Sequence, residues 1–205
     1  KFSFWFRKAR PISLPQGMLP ALTAVALSAG TANFSWIAAV VCVIGVMFAH
    51  LGMNLLDDWF DYYKGSGEAR KKAANEGFRG RMTKYPYLIS GEATPKQLLV
   101  AVCVFLGIAA LMGCVVLAIR GSMILWWMLA GFIIGFSYSG GPLKLGFRGL
   151  GELVIFVMFG PLMMTGVYYA ITGEVTPKIA WLSTSVGLLV TNIVYTHSVL
   201  DAVPD

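Results

Sequence analysis

Long apolar runs dominate this chain and limit most strongly what it can fold into. Six segments are rich in apolar side chains and nearly free of charge, and each has roughly the 17 to 25 residues that a helix needs to cross a bilayer. Hydrophobic residues make up 57% of the 205 residues and charged residues only 13%, against about 25% charged residues in a soluble domain. The sequence therefore predicts an all-α, polytopic transmembrane helical bundle. The six predicted spans are 14–30, 36–61, 96–119, 123–138, 151–171 and 178–201.

The Lys and Arg residues indicate the orientation of this bundle. Fourteen of the 16 precede the first span, lie between the second span and the start of the third (Lys96 included), or lie between the fourth and fifth. Only Arg120 and Lys178 belong to the alternate connections, Lys178 as the first residue of the sixth span. Basic loops stay on the cytoplasmic side of a membrane. We therefore expect an integral protein of the cell (inner) membrane with both chain ends in the cytoplasm. The net charge of +6 then reflects topology, so the expected partner is the lipid bilayer and not nucleic acid.

A first acidic cluster ends the second predicted span. Asn54, Asp57 and Asp61 are spaced three and four residues apart, so a helix places them on one face, with Asp58 beside them. Such side chains at a membrane interface are costly unless a positive charge compensates them. Mg²⁺ prefers oxygen ligands and bridges carboxylates to substrate phosphates. The cluster therefore predicts a site for Mg²⁺ and a diphosphate, at the cytoplasmic end of the span.

Two other interpretations of the first cluster stay open. One is a proton or sodium site in an ion-coupled transporter. The other is a solvated helix end, although three Asp side chains at a helix C-terminus oppose the helix dipole.

A second acidic cluster ends the sixth predicted span. His197, Asp201 and Asp205 are four residues apart, although Pro204 is able to break the helix before Asp205. If both clusters face one cavity, each would hold Mg²⁺ on one side of a diphosphate and make it a good leaving group. A packed, hydrogen-bonded core residue is the alternative interpretation of His197.

Four stretches of the sequence together resemble a known family. They are Arg10-Pro-Ile-Ser-Leu-Pro15, Asn54-Leu-Leu-Asp57-Asp58-Trp-Phe-Asp61, Tyr138-Ser-Gly-Gly-Pro142 with Gly149-Leu-Gly-Glu152, and His197 to Asp205. With these stretches in this order, the chain resembles the UbiA superfamily of intramembrane aromatic prenyltransferases. Within it, the pattern is most similar to the branch that prenylates 1,4-dihydroxy-2-naphthoate in menaquinone biosynthesis.

The resemblance implies a fold, an activity and a set of site residues. The fold is a helical bundle, typically of nine spans, around a central cavity that opens to lipid. The activity is Mg²⁺-dependent transfer of a polyprenyl group from a polyprenyl diphosphate to an aromatic acceptor. The implied metal ligands are Asp57, Asp58, Asp61, Asp201 and Asp205. The implied catalytic residues are Asp57, Asp61, Asp201, Tyr138 and Lys144, and the implied substrate-binding residues are Asn54, Asp58, Arg79, Arg81, Lys84 and His197.

The sequence also departs from the family pattern. Six predicted spans instead of nine indicate a single transmembrane prenyltransferase domain over residues 1–205 that is truncated at its C-terminus. Asp57 stands where the family usually has Asn, and Tyr85 replaces an Arg, so Arg81 or Lys84 would have to make its diphosphate contact. Transfer to 4-hydroxybenzoate or haem, and a fragment without a closed site, remain alternatives.

Overall fold

Helices form nearly all of the described chain. A computed structural model of the protein describes residues 1–64, 85–140, 143 and 145–201, without the side chains of Lys64, Ser139, Phe147 and residues 197–201. The α-helices are α1 (Phe2–Lys8), α2 (Leu14–Ser28), α3 (Trp36–Lys64), α4 (Pro86–Ile89), α5 (Pro95–Arg120), α6 (Ile124–Ser139), α7 (Gly151–Val157), α8 (Met163–Thr172) and α9 (Pro177–Asp201). Turns of 3₁₀ helix cover Pro11–Ser13 and Leu145–Arg148, and a π-helical turn, Met158–Leu162, joins α7 to α8.

The prediction of an all-α transmembrane bundle is confirmed. Each predicted span coincides with a helix, or with α7 and α8 taken as one, to within three residues at either end. Among the described residues, four helical segments are long and apolar enough to cross a membrane: 36–63, 95–120, 151–172 and 177–196. The apolar helix over 124–138 is shorter, and α2 has 15 residues, which is about 22 Å of helix. For α2 and α6, a full crossing stays a prediction.

The helix ends alternate between two ends of the bundle, as the loop charges predict. Arg120, at the end of α5, donates hydrogen bonds to the carbonyl oxygens of Asn33, Ala170 and Ile171. This contact joins the loop between α2 and α3 to the C-termini of α5 and α8, where a cation also complements the helix dipole. The opposite end holds the C-terminus of α3 and the start of α5.

Strongly exposed tryptophans lie at the end of the bundle that carries Arg120. Trp36, Trp126 and Trp181 lie in the first turns of α3, α6 and α9 and are 73%, 69% and 77% exposed. Tryptophan is enriched at the boundary between membrane and water. Large apolar side chains such as Ile37, Leu111 and Leu188 are also exposed along the helices. This surface fits a lipid environment, because a soluble protein rarely exposes so much apolar area.

Two glycines bring the π-helical turn into backbone contact with α9. A Cβ at Gly160 would come within 2.5 Å of the Ser183 oxygen, and a Cβ at Gly187 within 2.9 Å of the Phe156 oxygen. Small residues allow this close approach between membrane helices. Pro161 lies inside the turn, and its missing N–H suits a place where the α-helical hydrogen-bond pattern changes.

We predict that Gly160→Ala or Gly187→Ala lowers the free energy of unfolding by about 1–3 kcal/mol, because overpacking forces the two backbones apart. The measurement is the melting temperature in detergent. Gly107→Ala is the matched control, since a Cβ there meets nothing within 4 Å. Equal melting of all three variants would contradict the close contact.

Candidate active site

The Arg10 side chain is bound to the C-terminal part of α3. Its Nη2 donates to the Asp58 carboxylate at 2.8 Å, to the Asn54 carbonyl oxygen at 2.8 Å and to the Asp57 carboxylate at 3.4 Å. Burial alone would lower the pKa of Arg10, but the charges of Asp58 and Asp57 outweigh it and raise the pKa above its ordinary value. The guanidinium therefore stays charged and supplies the positive partner that the acidic cluster requires.

The backbone at Arg10 is in an unusual conformation. Its φ and ψ are both 60°, in the left-handed region that non-glycine residues seldom adopt. The residue lies between α1 and the 3₁₀ turn at Pro11–Ser13. Its side-chain contacts with α3 hold the chain in this conformation, at a cost on the order of 1–3 kcal/mol.

Asp58 is completely buried between Arg10 and Tyr87. The Tyr87 hydroxyl, on α4, donates to the second carboxylate oxygen of Asp58 at 2.8 Å, and Asp58 is 0% exposed. Burial raises the pKa of Tyr87, and the charge of Asp58 raises it further, so the hydroxyl remains a proton donor. Next to it, the Tyr85 hydroxyl donates to the Asp61 carbonyl oxygen at 3.1 Å. These bonds join the N-terminal segment and α4 to α3.

A cavity of about 1400 Å³ extends along α3 from Asp57 to Val41. The α3 residues that line it recur every three to four positions, as one face of a helix does. Helices α2, α5, α6, α7 and α8 supply the other walls. The cavity therefore runs lengthwise through the bundle, over about 24 Å of α3. That it opens to lipid stays a prediction.

The two ends of this cavity differ in polarity. Polar side chains lie at the Asp57 end, namely Arg10, Ser13, Gln16, His50, Asn54, Asp57, Tyr138 and Glu152. Farther along, the walls are mostly apolar and include Val41, Val46, Met112, Val116, Trp127 and Met163. An amphiphile with a charged head and an apolar tail matches this distribution.

The first acidic cluster divides between the cavity and the protein interior. Asn54 and Asp57 line the cavity, and the Asp57 side chain is 22% exposed. Asp58 and Asp61 are 0% and 1% exposed and are not among the lining residues. Within the described ranges, no three His, Cys, Asp or Glu side chains converge as a metal cluster. The predicted metal roles of Asp57, Asp58 and Asp61 stay predictions.

A chain of hydrogen bonds links Asn54 to His50 along the cavity wall. The Asn54 amide donates to the Ser13 hydroxyl at 2.8 Å and to the Ala9 carbonyl oxygen at 2.9 Å. The Ser13 hydroxyl lies 2.9 Å from the Arg10 carbonyl oxygen and 3.0 Å from Nε2 of His50. The N-terminal segment thus fixes two side chains of α3 that line the cavity.

Tyr138 lies at the polar end of the cavity, and its predicted catalytic role stays a prediction. Its ring packs against Gly146, where a Cβ would come within 3.2 Å of the ring. Glu152, in the first turn of α7, lines the same end. The structure thus brings Tyr138 and Glu152 to the same end of the cavity as Asn54 and Asp57.

The second acidic cluster is described only by its backbone. Helix α9 begins beside the C-terminus of α8 and ends at Asp201, and Val194 of α9 lines the cavity. The end of α9 therefore lies at the same end of the bundle as Asp57. The side chains of His197 and Asp201, and the residues Asp205, Arg79, Arg81, Lys84 and Lys144, lie outside the description.

Sequence reasoning missed three residues of this site. For Arg10 the sequence predicts no site role, although a single basic residue directly before Pro11 and the first span is a usable signal. His50 lies within an apolar span, and nothing in its neighbours indicates that it lines a cavity. Tyr87 lies 29 residues after its partner Asp58, a pairing that no local pattern indicates.

We predict that Arg10→Met destabilises the protein by about 3–5 kcal/mol, because it leaves the buried Asp58 carboxylate without its cation. Lys8→Met is the matched control: the Lys8–Glu92 ion pair is 2.9 Å long against 2.8 Å for Arg10–Asp58, but the Glu92 side chain is 53% exposed. Its loss therefore costs at most about 1 kcal/mol. Melting temperatures in detergent test the difference. Equal losses would refute a central role for Arg10.

Comparison with known proteins identifies the family. The family model for the UbiA prenyltransferase family matches residues 17–205. Among proteins named 1,4-dihydroxy-2-naphthoate octaprenyltransferase, that of Mycobacterium tuberculosis is 28% identical over 82% of this chain, and that of Bacillus subtilis is 22% identical over 96%. The chain spans only 54% and 60% of the length of these two relatives.

A solved structure shares the fold. A UbiA homolog from Archaeoglobus fulgidus, bound to DMAPP and Mg²⁺, matches 98% of this chain and 66% of its own with a TM-score of 0.68 and 17% sequence identity. The same homolog bound to GPP and Mg²⁺ gives a TM-score of 0.66. With the family model matched over nearly the whole sequence and the helical arrangement shared, this chain belongs to the UbiA prenyltransferase family.

Proposed function

We propose that this chain transfers a polyprenyl group from a polyprenyl diphosphate to an aromatic acceptor, with Mg²⁺ as cofactor. One observation carries the proposal: a single cavity of about 1400 Å³ has Asn54 and Asp57 at one end and mostly apolar walls beyond. A prenyl diphosphate has the same division into an anionic head and an apolar tail. Its tail would lie along the apolar walls and its head at the Asp57 end.

The residues at the polar end fit Mg²⁺. Carboxylate and amide oxygens are its preferred ligands, and it is commonly bound through one or two carboxylates together with substrate phosphates. Asp57 and Asn54 offer these oxygens to the cavity. A Mg²⁺ site on this part of the cavity wall therefore does not need three carboxylates. Asp58 and Asp61 are buried behind the cavity wall. They would either position the residues that bind the metal or bind it themselves after a local rearrangement.

The remaining ligands would come from the predicted residues outside the description. Asp201 and Asp205 would hold metal from the opposite side of the diphosphate, because α9 ends at the same end of the bundle as Asp57. Arg79, Arg81, Lys84 and Lys144 would add positive charge around the phosphates, with His197 beside them. Arg10, already charged and buried between Asp57 and Asp58, would keep these carboxylates in position.

The chemistry follows from how this end of the cavity is built. When bound, Mg²⁺ neutralises the negative charge that develops on the departing diphosphate. Asp57 and Asn54 orient that group, and the face of Tyr138 favours positive charge that develops on the allylic carbon. The apolar walls exclude water, which would otherwise compete with the acceptor. The acceptor ring itself supplies the electrons for the new bond.

The acceptor we propose is 1,4-dihydroxy-2-naphthoate, in menaquinone biosynthesis. The names of the relatives from Mycobacterium tuberculosis and Bacillus subtilis support it, as do the sequence motifs. Loss of the ring carboxylate would accompany the transfer. Parallel assays with 4-hydroxybenzoate and haem as acceptors test the alternatives within the same superfamily.

The polar end of the cavity is proposed to face the cytoplasm of the cell (inner) membrane. In the predicted topology, fourteen of the 16 Lys and Arg residues belong to the segments on this side of the membrane, and the positive-inside rule assigns such a side to the cytoplasm. The exposed tryptophans would then lie at the opposite interface.

We predict that Asp57→Ala and Asp61→Ala in the full chain lower Mg²⁺-dependent prenyl transfer by at least about 100-fold, the usual loss when one preorganised electrostatic group is removed. The assay uses membranes, labelled prenyl diphosphate and the naphthoate acceptor. Asp57→Asn, which keeps an oxygen ligand, should retain more activity than Asp57→Ala. Glu92→Ala, an acid outside the cavity, is the control. Wild-type turnover in Asp57→Ala and Asp61→Ala would refute the ligand assignment.

A second prediction separates the enzyme from an ion-coupled transporter. Mg²⁺ and a prenyl diphosphate together should raise the melting temperature in detergent, by the equivalent of about 2.7 kcal/mol at a ligand concentration of 100 Kd. Each ligand alone should have a smaller effect, because the metal bridges protein and phosphate. Stabilisation by Na⁺ alone, with no response to the diphosphate, would favour the transporter instead.

A further inference from the structure

His50 lines the cavity deeper than the acidic cluster, on the same face of α3. It lies four residues before Asn54 and seven before Asp57, about 10 Å along the helix axis from Asp57. A metal ion held by Asp57 would lie only about 2.0–2.1 Å from the carboxylate oxygen. His50 is therefore beyond the reach of that metal and lies at the depth where a bound donor would already have changed from phosphate to hydrocarbon.

Hydrogen-bond accounting fixes how the His50 ring is held. The Ser13 hydroxyl has one hydrogen, which it donates to the Arg10 carbonyl oxygen, and it accepts from the Asn54 amide. Its remaining contact, to Nε2 of His50 at 3.0 Å, is then an N–H of His50 donating to Ser13. This assignment leaves the lone pair of a neutral imidazole on Nδ1.

Nδ1 of His50 packs close to Gly17 of α2, where a side chain would not fit. A Cβ at Gly17 would come within 2.8 Å of Nδ1 and within 3.4 Å of the Phe159 ring. The structure records a hydrogen bond for Nε2, but none for Nδ1 among the described residues. A histidine with a purely structural role usually has both ring nitrogens satisfied. One nitrogen of His50 is instead held in place and the other is available to a ligand.

An aromatic wall stands next to this nitrogen. The Phe159 ring centroid is 5.9 Å from that of His50, with the two planes 55° apart, and both residues line the cavity. An aromatic ligand packs well on such a ring, whereas a prenyl tail has no polar atom for the imidazole. A hydroxylated aromatic ring satisfies both groups at once.

On the basis of the proposed function, we infer that His50 is a catalytic residue that binds the ring hydroxyl of the aromatic acceptor and takes its proton during prenyl transfer. As the hydroxyl proton moves to Nδ1, the ring carbon that bears the carboxylate, next to the hydroxyl-bearing carbon, forms a carbon–carbon bond to the allylic carbon. The allylic carbon–oxygen bond breaks, and its electron pair leaves with the diphosphate. The ring is then a neutral ketone, and His50 is an imidazolium ion hydrogen-bonded to Ser13.

The second half of the reaction regenerates His50. Loss of the ring carboxylate as CO₂ leaves its bonding electrons in the ring, which becomes aromatic again as the oxygen takes the proton back from the imidazolium. The step consumes no oxidant, reductant or further base. Asn54 and Ser13 act as positioning residues, because they fix the ring from the side facing away from the ligand.

The test compares His50→Gln and His50→Ala with wild type in the full chain. His50→Gln should lower kcat with the naphthoate acceptor by about 100-fold or more, the range for loss of a general acid–base group. The melting shift with Mg²⁺ and prenyl diphosphate should stay at the wild-type value. Added imidazole should partly restore turnover of His50→Ala, and an acceptor methylated on the reacting hydroxyl should react equally slowly with wild type and with His50→Gln. Thr23→Ala, on α2 outside the cavity, is the control.

The outcomes are separable. No melting shift in the wild type with Mg²⁺ and prenyl diphosphate would overturn the proposed function itself. A normal wild-type shift combined with wild-type kcat in His50→Gln would overturn only the role of His50. A loss of the shift in His50→Gln would also overturn it, by assigning His50 to the donor site. Two results together would assign His50 a structural role instead. Imidazole would fail to restore the kcat of His50→Ala, and His50→Gln would slow the methylated acceptor as much as it slows the unmethylated one.

Discussion

The ion pair between Arg10 and Asp58 supports the rest of the site. It joins the segment that precedes α2 to the end of α3, and the hydrogen bond from Tyr87 to Asp58 adds α4 to the same point. A buried carboxylate without a cation is strongly unfavourable, so these three elements depend on one another. The position of Asp57 at the cavity depends on them too, because Arg10 contacts both carboxylates. The same segment carries Ser13, which fixes His50.

Several of the residues that line the cavity are glycines. The lining residues include Gly45, Gly107, Gly113, Gly131, Gly135 and Gly166, all of them on helices. Where side chains do approach these glycines they are often methionines: a Cβ at Gly45 would meet Met112, and one at Gly135 would meet Met158. Methionine is unbranched and adapts to irregular gaps. The cavity wall thus combines gaps without side chains and side chains that adjust, which suits a long and flexible apolar ligand.

Much of the fold was predictable because membrane helices are determined by local composition. A run such as 95–120 has to be helical in lipid, since every backbone polar group must be satisfied within the segment. Asp57 was predictable as a candidate site residue because its charge is conspicuous beside an apolar run. The division of the acidic cluster was not predictable, because Asp57 and Asp58 are neighbours in the sequence and carry the same side chain. The packing of Arg10 and Tyr87 decides that Asp58 is buried while Asp57 lines the cavity.

The sequence by itself determined the helical segments, their alternation across the membrane and the end of the bundle that carries the acidic residues, because length, hydropathy and charge act locally. The tertiary structure decided which of these residues meet. The carboxylates that bind Arg10 lie 47 and 48 residues away in the sequence. Gly17 and Phe159 both contact His50, although 142 positions separate them in the chain. Such contacts arise from the packing of helices that are distant in sequence, and a linear pattern does not specify that packing.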